Sequence, residues 1–305
     1  MSKAPPTTSR LLLIIPGGLA LLGGLNGALM LLDVPAPLDI VRLRDGHGII
    51  LVIGFVGTLI AVERAVALRR WWGFLAPISL GLGALLVMSP APVPLGRSLL
   101  IAGALGLVFV YIPLWRRHND ATVLVQLMGA VLMAGSAILW VRDVPPAVFV
   151  PWLAGFVILT ISAERIELAR VGVFDAALRE RADSNLLWFG HALFATAVSS
   201  VLWPQFATQV FGIVLLALVA WLTQTDVARK LIKSTGAQRY MAACLLSGYV
   251  WLSIAALTWI MVGHVDTGRA YDAVIHAVFL GFTMTMIFAH APVILPAVLR
   301  RPLPY

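Results

Sequence analysis

One cysteine, Cys244, occurs in the 305 residues. No intrachain disulfide can form, and a Cys-rich metal site is excluded. Charge is nearly as scarce. Asp, Glu, Lys and Arg make up 12% of the chain, against roughly 25% in a soluble globular domain. Only four residues are Glu: Glu63, Glu164, Glu167 and Glu180. There is also no Gly-rich loop of the phosphate-cradling kind and no nucleophile triad of the soluble-hydrolase kind. What fills the chain is apolar: 60% of the residues are hydrophobic and the mean hydropathy is +0.95. That balance excludes a water-soluble fold and defines a membrane protein. The net charge of +8 does not point to nucleic acid, because the basic residues stand in short clusters between apolar runs, where orientation in the bilayer accounts for them.

A helical span needs about 20 mostly apolar residues. Ten stretches meet that rule, near 11–32, 48–68, 73–90, 97–115, 120–141, 146–164, 184–203, 207–225, 240–263 and 272–297. The expected fold is an all-α polytopic membrane protein of about ten transmembrane helices, a single integral membrane domain over 1–305. The first stretch, "LLLIIPGGLALLGGLNGALMLL", is long for a signal core and lacks an A-x-A cleavage site, so it reads as a span. Its glycines suit small-residue helix packing. With the N-terminus cytoplasmic, ten spans place only Arg42, Arg44, Arg97, Arg142 and Arg269 of the 22 Lys and Arg outside. This bias implies a multi-pass protein of the inner (plasma) membrane with both termini cytoplasmic. Its partners are the lipid bilayer and a redox protein or further copies of the chain, not nucleic acid.

Three spans carry related strings: "GFVGTLIAVER" from Gly54, "GFVILTISAER" from Gly155 and "GFTMTMIFAHA" from Gly281. Each opens Gly-Phe, has Ile six residues after the Gly and a polar residue nine after it, namely Glu63, Glu164 and His290. These are the second, sixth and tenth spans, which implies four-helix repeat units at about 11–115, 120–225 and 240–305. Three full units would make a pseudo-threefold array of twelve helices, and this chain has two fewer. Repeat interfaces commonly hold functional groups.

His47 and His276 stand at similar depth near the outer ends of repeat-related spans. Neutral imidazoles at that level suit axial ligation of haem iron; the alternative is an interfacial His47 and a packing His276. His290 lies 14 residues beyond His276, about 21 Å along a helix, and so belongs to an inner level with Glu63 and Glu164. Such a ring can bind a metal or carry protons. The same groups can instead pair as ions, Glu63 with Arg165 or Glu164 with Arg64. His191, inside the seventh span, either bonds a backbone carbonyl or contacts a cofactor. Pro292 and Pro296 should kink the last span after His290. No pair of interrupted helices of the transporter kind is evident.

The stretch "GHGIILVIGFVGTLIA" resembles the second-helix motif "H-x-H-x-x-x-x-G-F" of NnrS-type proteins, and "HAVFLGFTMTMIFAHAPVILPAV" is similar to their late "H-A-x-x-x-G" helix. NnrS-type proteins are haem- and copper-containing membrane proteins linked to nitric oxide stress. Their helical layout is similar to that of the haem-copper oxidase main subunit, which has twelve helices in three four-helix units and low-spin haem ligands on its second and tenth helices. The resemblance implies haem b, with His47 and His276 in the ligand positions. It extends the expectation to copper, for which His290, Glu63 and Glu164 are the available residues. Two departures stand out: Ile49 occupies the motif's second histidine position, and the sixth and seventh spans carry no histidine cluster. The expected role is electron transfer or nitric oxide handling. The alternatives are a small-molecule or ion transporter using the inner ring, or a structural subunit of a respiratory complex.

Overall fold

The computed structural model describes residues 7–172 and 176–299; Lys3, Arg300 and Arg301, which enter the charge bias, lie outside them. Every regular element among the described residues is helical, and none is a strand. Nine stretches among them are long and apolar enough to cross a membrane: Leu12–Leu31, Val41–Leu68, Trp71–Met88, Val93–Arg117, Ala121–Val141, Pro146–Arg170, Pro204–Thr225, Gly236–Val262 and Gly268–Pro292. The chain is thus an all-α polytopic membrane protein. The expected seventh span, 184–203, differs from the rest. It lies in α8 (Ala176–Ser199), where Asp183, Ser184 and Asn185 delay the apolar part to Leu186 and His191 interrupts it. The helix then stops at Ser199, short of the about 20 apolar residues of a full crossing.

The described residues fall into two compact units. The first comprises the residues up to Asn119 together with Met133–Asp143. It contains α1 (Thr7–Leu31), α2 (Val41–Ile49), a π-helical segment (Ile50–Gly57), α3 (Thr58–Leu68), a 3₁₀ turn (Trp71–Phe74), α4 (Leu75–Met88) and α5 (Val93–His118). The π segment is packed by α1, α4 and α5, and Ile50, Ile53, Leu80 and Leu100 are fully buried there.

The small residues of α1 permit its close approach. A Cβ added at Gly27 would lie 2.1 Å from the carbonyl oxygen of Leu43, and one at Gly24 would lie 2.5 Å from Leu51 Cγ. The expected small-residue packing is therefore present, because only a missing side chain lets backbones come this near. Opposite that seam, Leu12, Ile15, Leu19 and Leu22 form an exposed apolar face at helical spacing, the face such a helix turns to lipid. Asn26 ties the following loop to α1, donating through Nδ2 to the Leu38 carbonyl (2.7 Å) while its Oδ1 accepts from the Leu38 N–H (2.9 Å). At the other end α3 stops at Arg69 in the left-handed region (φ 58°). Arg117 then donates to the freed carbonyls of Ala67 and Leu68, satisfying the open helix end.

The second unit comprises Asp120–Leu132 and the residues from Val144 onward. It includes α7 (Pro146–Gly172), α8, α9 (Pro204–Thr225), the short α10 (Ala228–Leu231), α11 (Gly236–Val262), α12 (Gly268–Ile275), a second π segment (His276–Phe282) and α13 (Thr283–Leu299). The helix α6 (Ala121–Val141) gives its first part to this unit and its second part to the other. Here α11 is the central helix, packed by α9, α12, α13 and the π segment. Trp259 of α11 meets Phe211 of α9 edge-on at 5.1 Å between ring centres, a favoured aromatic geometry. Trp251 lies where a Cβ at Gly281 would be, 2.4 Å from its ring, so Gly281 is what lets that indole lie against the π segment.

Candidate functional site

The two histidines expected at an outer level sit in the same local setting. His47 is in α2, three residues before the π segment Ile50–Gly57, and His276 is the first residue of the π segment His276–Phe282. Both segments contain the Gly-Phe pair of the repeat, Gly54-Phe55 and Gly281-Phe282. The related pair in α7, Gly155-Phe156, lies in ordinary α-helix. A further correspondence appears four residues after each Gly. Thr58 Oγ1 donates to the Gly54 carbonyl (2.5 Å) and Thr285 Oγ1 to the Gly281 carbonyl (2.7 Å), whereas α7 has Leu159 at that offset. Such a bond to the carbonyl one turn back satisfies the hydroxyl inside apolar helix, as at Thr208 and Thr223 of α9. In the second π segment the Val278 carbonyl accepts from both the N–H and Oγ1 of Thr283, five residues on.

Each membrane histidine also has one ring nitrogen fixed. Nδ1 contacts the carbonyl of Arg44 in His47 (3.0 Å), of Leu187 in His191 (2.7 Å), of Asp272 in His276 (2.8 Å) and of Met286 in His290 (2.6 Å). A carbonyl only accepts, so Nδ1 carries the proton and a neutral ring presents its lone pair at Nε2. That is the arrangement of a metal-ligating histidine whose other nitrogen is held by the backbone. Because all four share it, the bond selects the nitrogen and not the residue. His47 is half-buried, while His276 and His191 are exposed. For His191 the expected carbonyl bond is present.

Of the residues expected at an inner level, Glu63 is ion-paired with its neighbour Arg64, the Glu side chain 55% exposed and the Arg 10%. Glu164 and His290 are half-buried. Among the described residues no three His, Cys, Asp or Glu side chains group as a metal site would group them. The helix α13 runs on through Pro292 and Pro296 to Leu299.

Sequence reading missed the most elaborate polar cluster in the second unit. Arg165, the partner expected for Glu63, grips Asp226 with both arms, Nε to Oδ2 at 2.9 Å and Nη2 to Oδ1 at 2.8 Å. Tyr249 OH donates to Oδ2 at 2.6 Å and the Ala228 N–H to Oδ1 at 2.9 Å. Asp226 follows the last residue of α9 and leads into α10, while Tyr249 is buried in the middle of α11. Burial alone would raise the Asp226 pKa, but the Arg165 guanidinium with the Tyr249 and Ala228 bonds holds it below the usual carboxylate range. A similar node joins α6, α7 and α8: Arg170 donates to both oxygens of Asp120 at 2.9 Å and also to Asp183. Burial again pushes the Asp120 carboxyl upward, and the bonds from Arg170 and Thr122 outweigh it, leaving it lowered. The available signals were an Asp set directly at a span end and a Tyr midway along an apolar helix.

Fold and site together define a polytopic, all-helical membrane protein with histidines set at π-helical segments and ion pairs at its span ends. The chain belongs to the family described as Domain of unknown function (DUF8744), whose model matches residues 10–305. No curated protein and no solved structure matches it.

Proposed function

We propose that this is a membrane haem protein of NnrS-like or oxidase-like type, with Nε2 of His47 and of His276 as the axial ligands of a b-type haem. The observation that carries the reading is the coincidence of histidine and π segment in two repeat-related spans, absent from the third, which has no histidine. Short π-helical insertions occur frequently at functional sites, and the fixed Nδ1 protons leave both rings in the ligating tautomer. The donor set suits the group: neutral imidazoles on apolar helices hold haem iron in helical membrane bundles. Haem, when bound, supplies one-electron redox chemistry and affinity for diatomic gases. The chain's own part is to fix the rings through the Arg44 and Asp272 carbonyls.

Electron transfer or nitric oxide handling is the role this supports, with a redox protein or a second copy of the chain as partner. His191, with the same tautomer on α8, is the further candidate contact. Copper has weaker support, since the inner residues Glu63, Glu164 and His290 form no grouped ligand set. The charge bias supports an inner-membrane protein with both termini cytoplasmic, a reading that takes α8, although its apolar part is short, as a tenth crossing.

The test is the visible spectrum of the full-length protein purified after expression with ample haem. The expected result is a Soret band, with visible bands that sharpen on reduction. Absence of haem absorption would contradict the proposal and favour transport along Glu63, Glu164 and His290, which flux into proteoliposomes would detect.

A further inference from the structure

A pocket of about 420 Å³ opens where α9 and α11 meet the segment that joins them. Its wall along α9 is apolar, formed by Leu216, Val219 and Ala220, which span about 6 Å of helix. Its far end is polar, formed by Thr223, Gln224, Ser253 and Arg229. The hydroxyl protons of Thr223 and Ser253 are committed to the carbonyls of Val219 and Tyr249, so the cation of the pocket is Arg229. That side chain is exposed, and no described residue gives it an ion pair. The one acid nearby in sequence, Asp226, is turned into the clasp of Arg165 and Tyr249 and does not neutralise it. Lys230 and Lys233 are exposed on the same connecting segment, and Arg239 is exposed in the first turns of α11.

We infer that this pocket binds an anionic phospholipid, its phosphate on Arg229, an ester carbonyl accepting from the Gln224 amide beside Thr223 and Ser253, and its first methylenes along Leu216 and Ala220. Charge complementarity favours a phosphate at the basic end, and clustered cations beside a membrane span are drawn to anionic lipid. The apolar wall running from Arg229 toward the middle of the span selects a lipid over a free anion, which would leave that wall unused. The inference does not depend on haem.

The experiment is native mass spectrometry of the full-length, delipidated protein titrated with phosphatidylglycerol or phosphatidylcholine. Wild type should retain phosphatidylglycerol in preference to phosphatidylcholine. Arg229→Gln should reduce that preference about fivefold, which corresponds to about 1 kcal/mol, while Arg239→Gln, outside the pocket, should keep most of it. Ala220→Trp, which fills the apolar wall and leaves the charge, should also lose the lipid. Equal retention of the two lipids would overturn the inference, as would equal loss in Arg229→Gln and Arg239→Gln or complete displacement by inorganic phosphate.

Discussion

Replacing Asp226 by Asn keeps the shape of the side chain and removes the charge that Arg165 faces. The Arg165 side chain is 11% exposed and the Asp226 side chain 3%, so water cannot take over the lost partner. Breaking a buried ion pair from one side costs about 3–5 kcal/mol. The introduced amide oxygen would still accept from the Ala228 N–H, which places the expected loss near the lower end, about 3 kcal/mol. Arg165→Met combined with Asp226→Asn removes both charges, and a large part of that loss should return. The assay is an unfolding titration with SDS in mixed micelles, followed by far-ultraviolet circular dichroism, for wild type, both single variants and the double. The pH dependence has a definite sign. Asp226 is ionised more readily folded than unfolded, so its contribution is complete above the unfolded carboxylate pKa of about 3.9. It is lost as pH falls through the lower folded value, and the loss on acidification should be smaller in Asp226→Asn. A cost below about 1 kcal/mol for the single variant, the range of exposed ion pairs, would refute the buried clasp. So would a double variant no more stable than Asp226→Asn.

Gly27→Ala should destabilise the protein by about 1–3 kcal/mol, because the new Cβ would sit 2.1 Å from the Leu43 backbone oxygen. Gly18→Ala, with nothing within 4 Å, should fall within about 0.5 kcal/mol of wild type in the same titration. Thr283→Val removes the Oγ1 bond to the Val278 carbonyl at a residue 2% exposed. The expected cost is about 1 kcal/mol, against none measurable for Thr258→Val, whose bond to the Ile254 carbonyl lies at the surface of α11. The Arg170 node makes a parallel case: Asp120→Asn should weaken the fold at neutral pH and lessen its acid sensitivity, read from melting curves between neutral and acidic pH.

Much of the fold was legible because the bilayer allows few solutions. Long apolar runs must be helices, and nine of ten expected spans are helices of crossing length among the described residues. The seventh stretch falls short of that length for a physical reason: polar Ser184, Asn185 and His191 belong to a helix that begins outside the apolar region. The repeat was visible as a string, but its consequence was not. Hydrophobic pattern does not separate α from π helix in a segment such as "ILVIGFVG", where every side is apolar. The pairing of Arg165 was misassigned because both candidate acids were sought within the repeat, whereas Asp226 reaches it from a connecting turn. A contact of that kind depends on how α7, α9 and α11 pack, which no single helix encodes.

The central claim is that His47 and His276 hold a haem, and ligand substitution tests it directly. Absorption spectra of the oxidised and dithionite-reduced protein should be recorded for wild type, His47→Ala, His276→Ala, His191→Ala and the His47→Ala/His276→Ala double variant, each purified with the same haem supply. The account predicts a six-coordinate low-spin spectrum in wild type and in His191→Ala. It predicts loss of haem, or conversion to a five-coordinate high-spin spectrum, in His47→Ala and in His276→Ala. A low-spin spectrum that survives loss of both His47 and His276 would contradict the ligand assignment, and a wild-type protein without haem absorption would contradict the account itself.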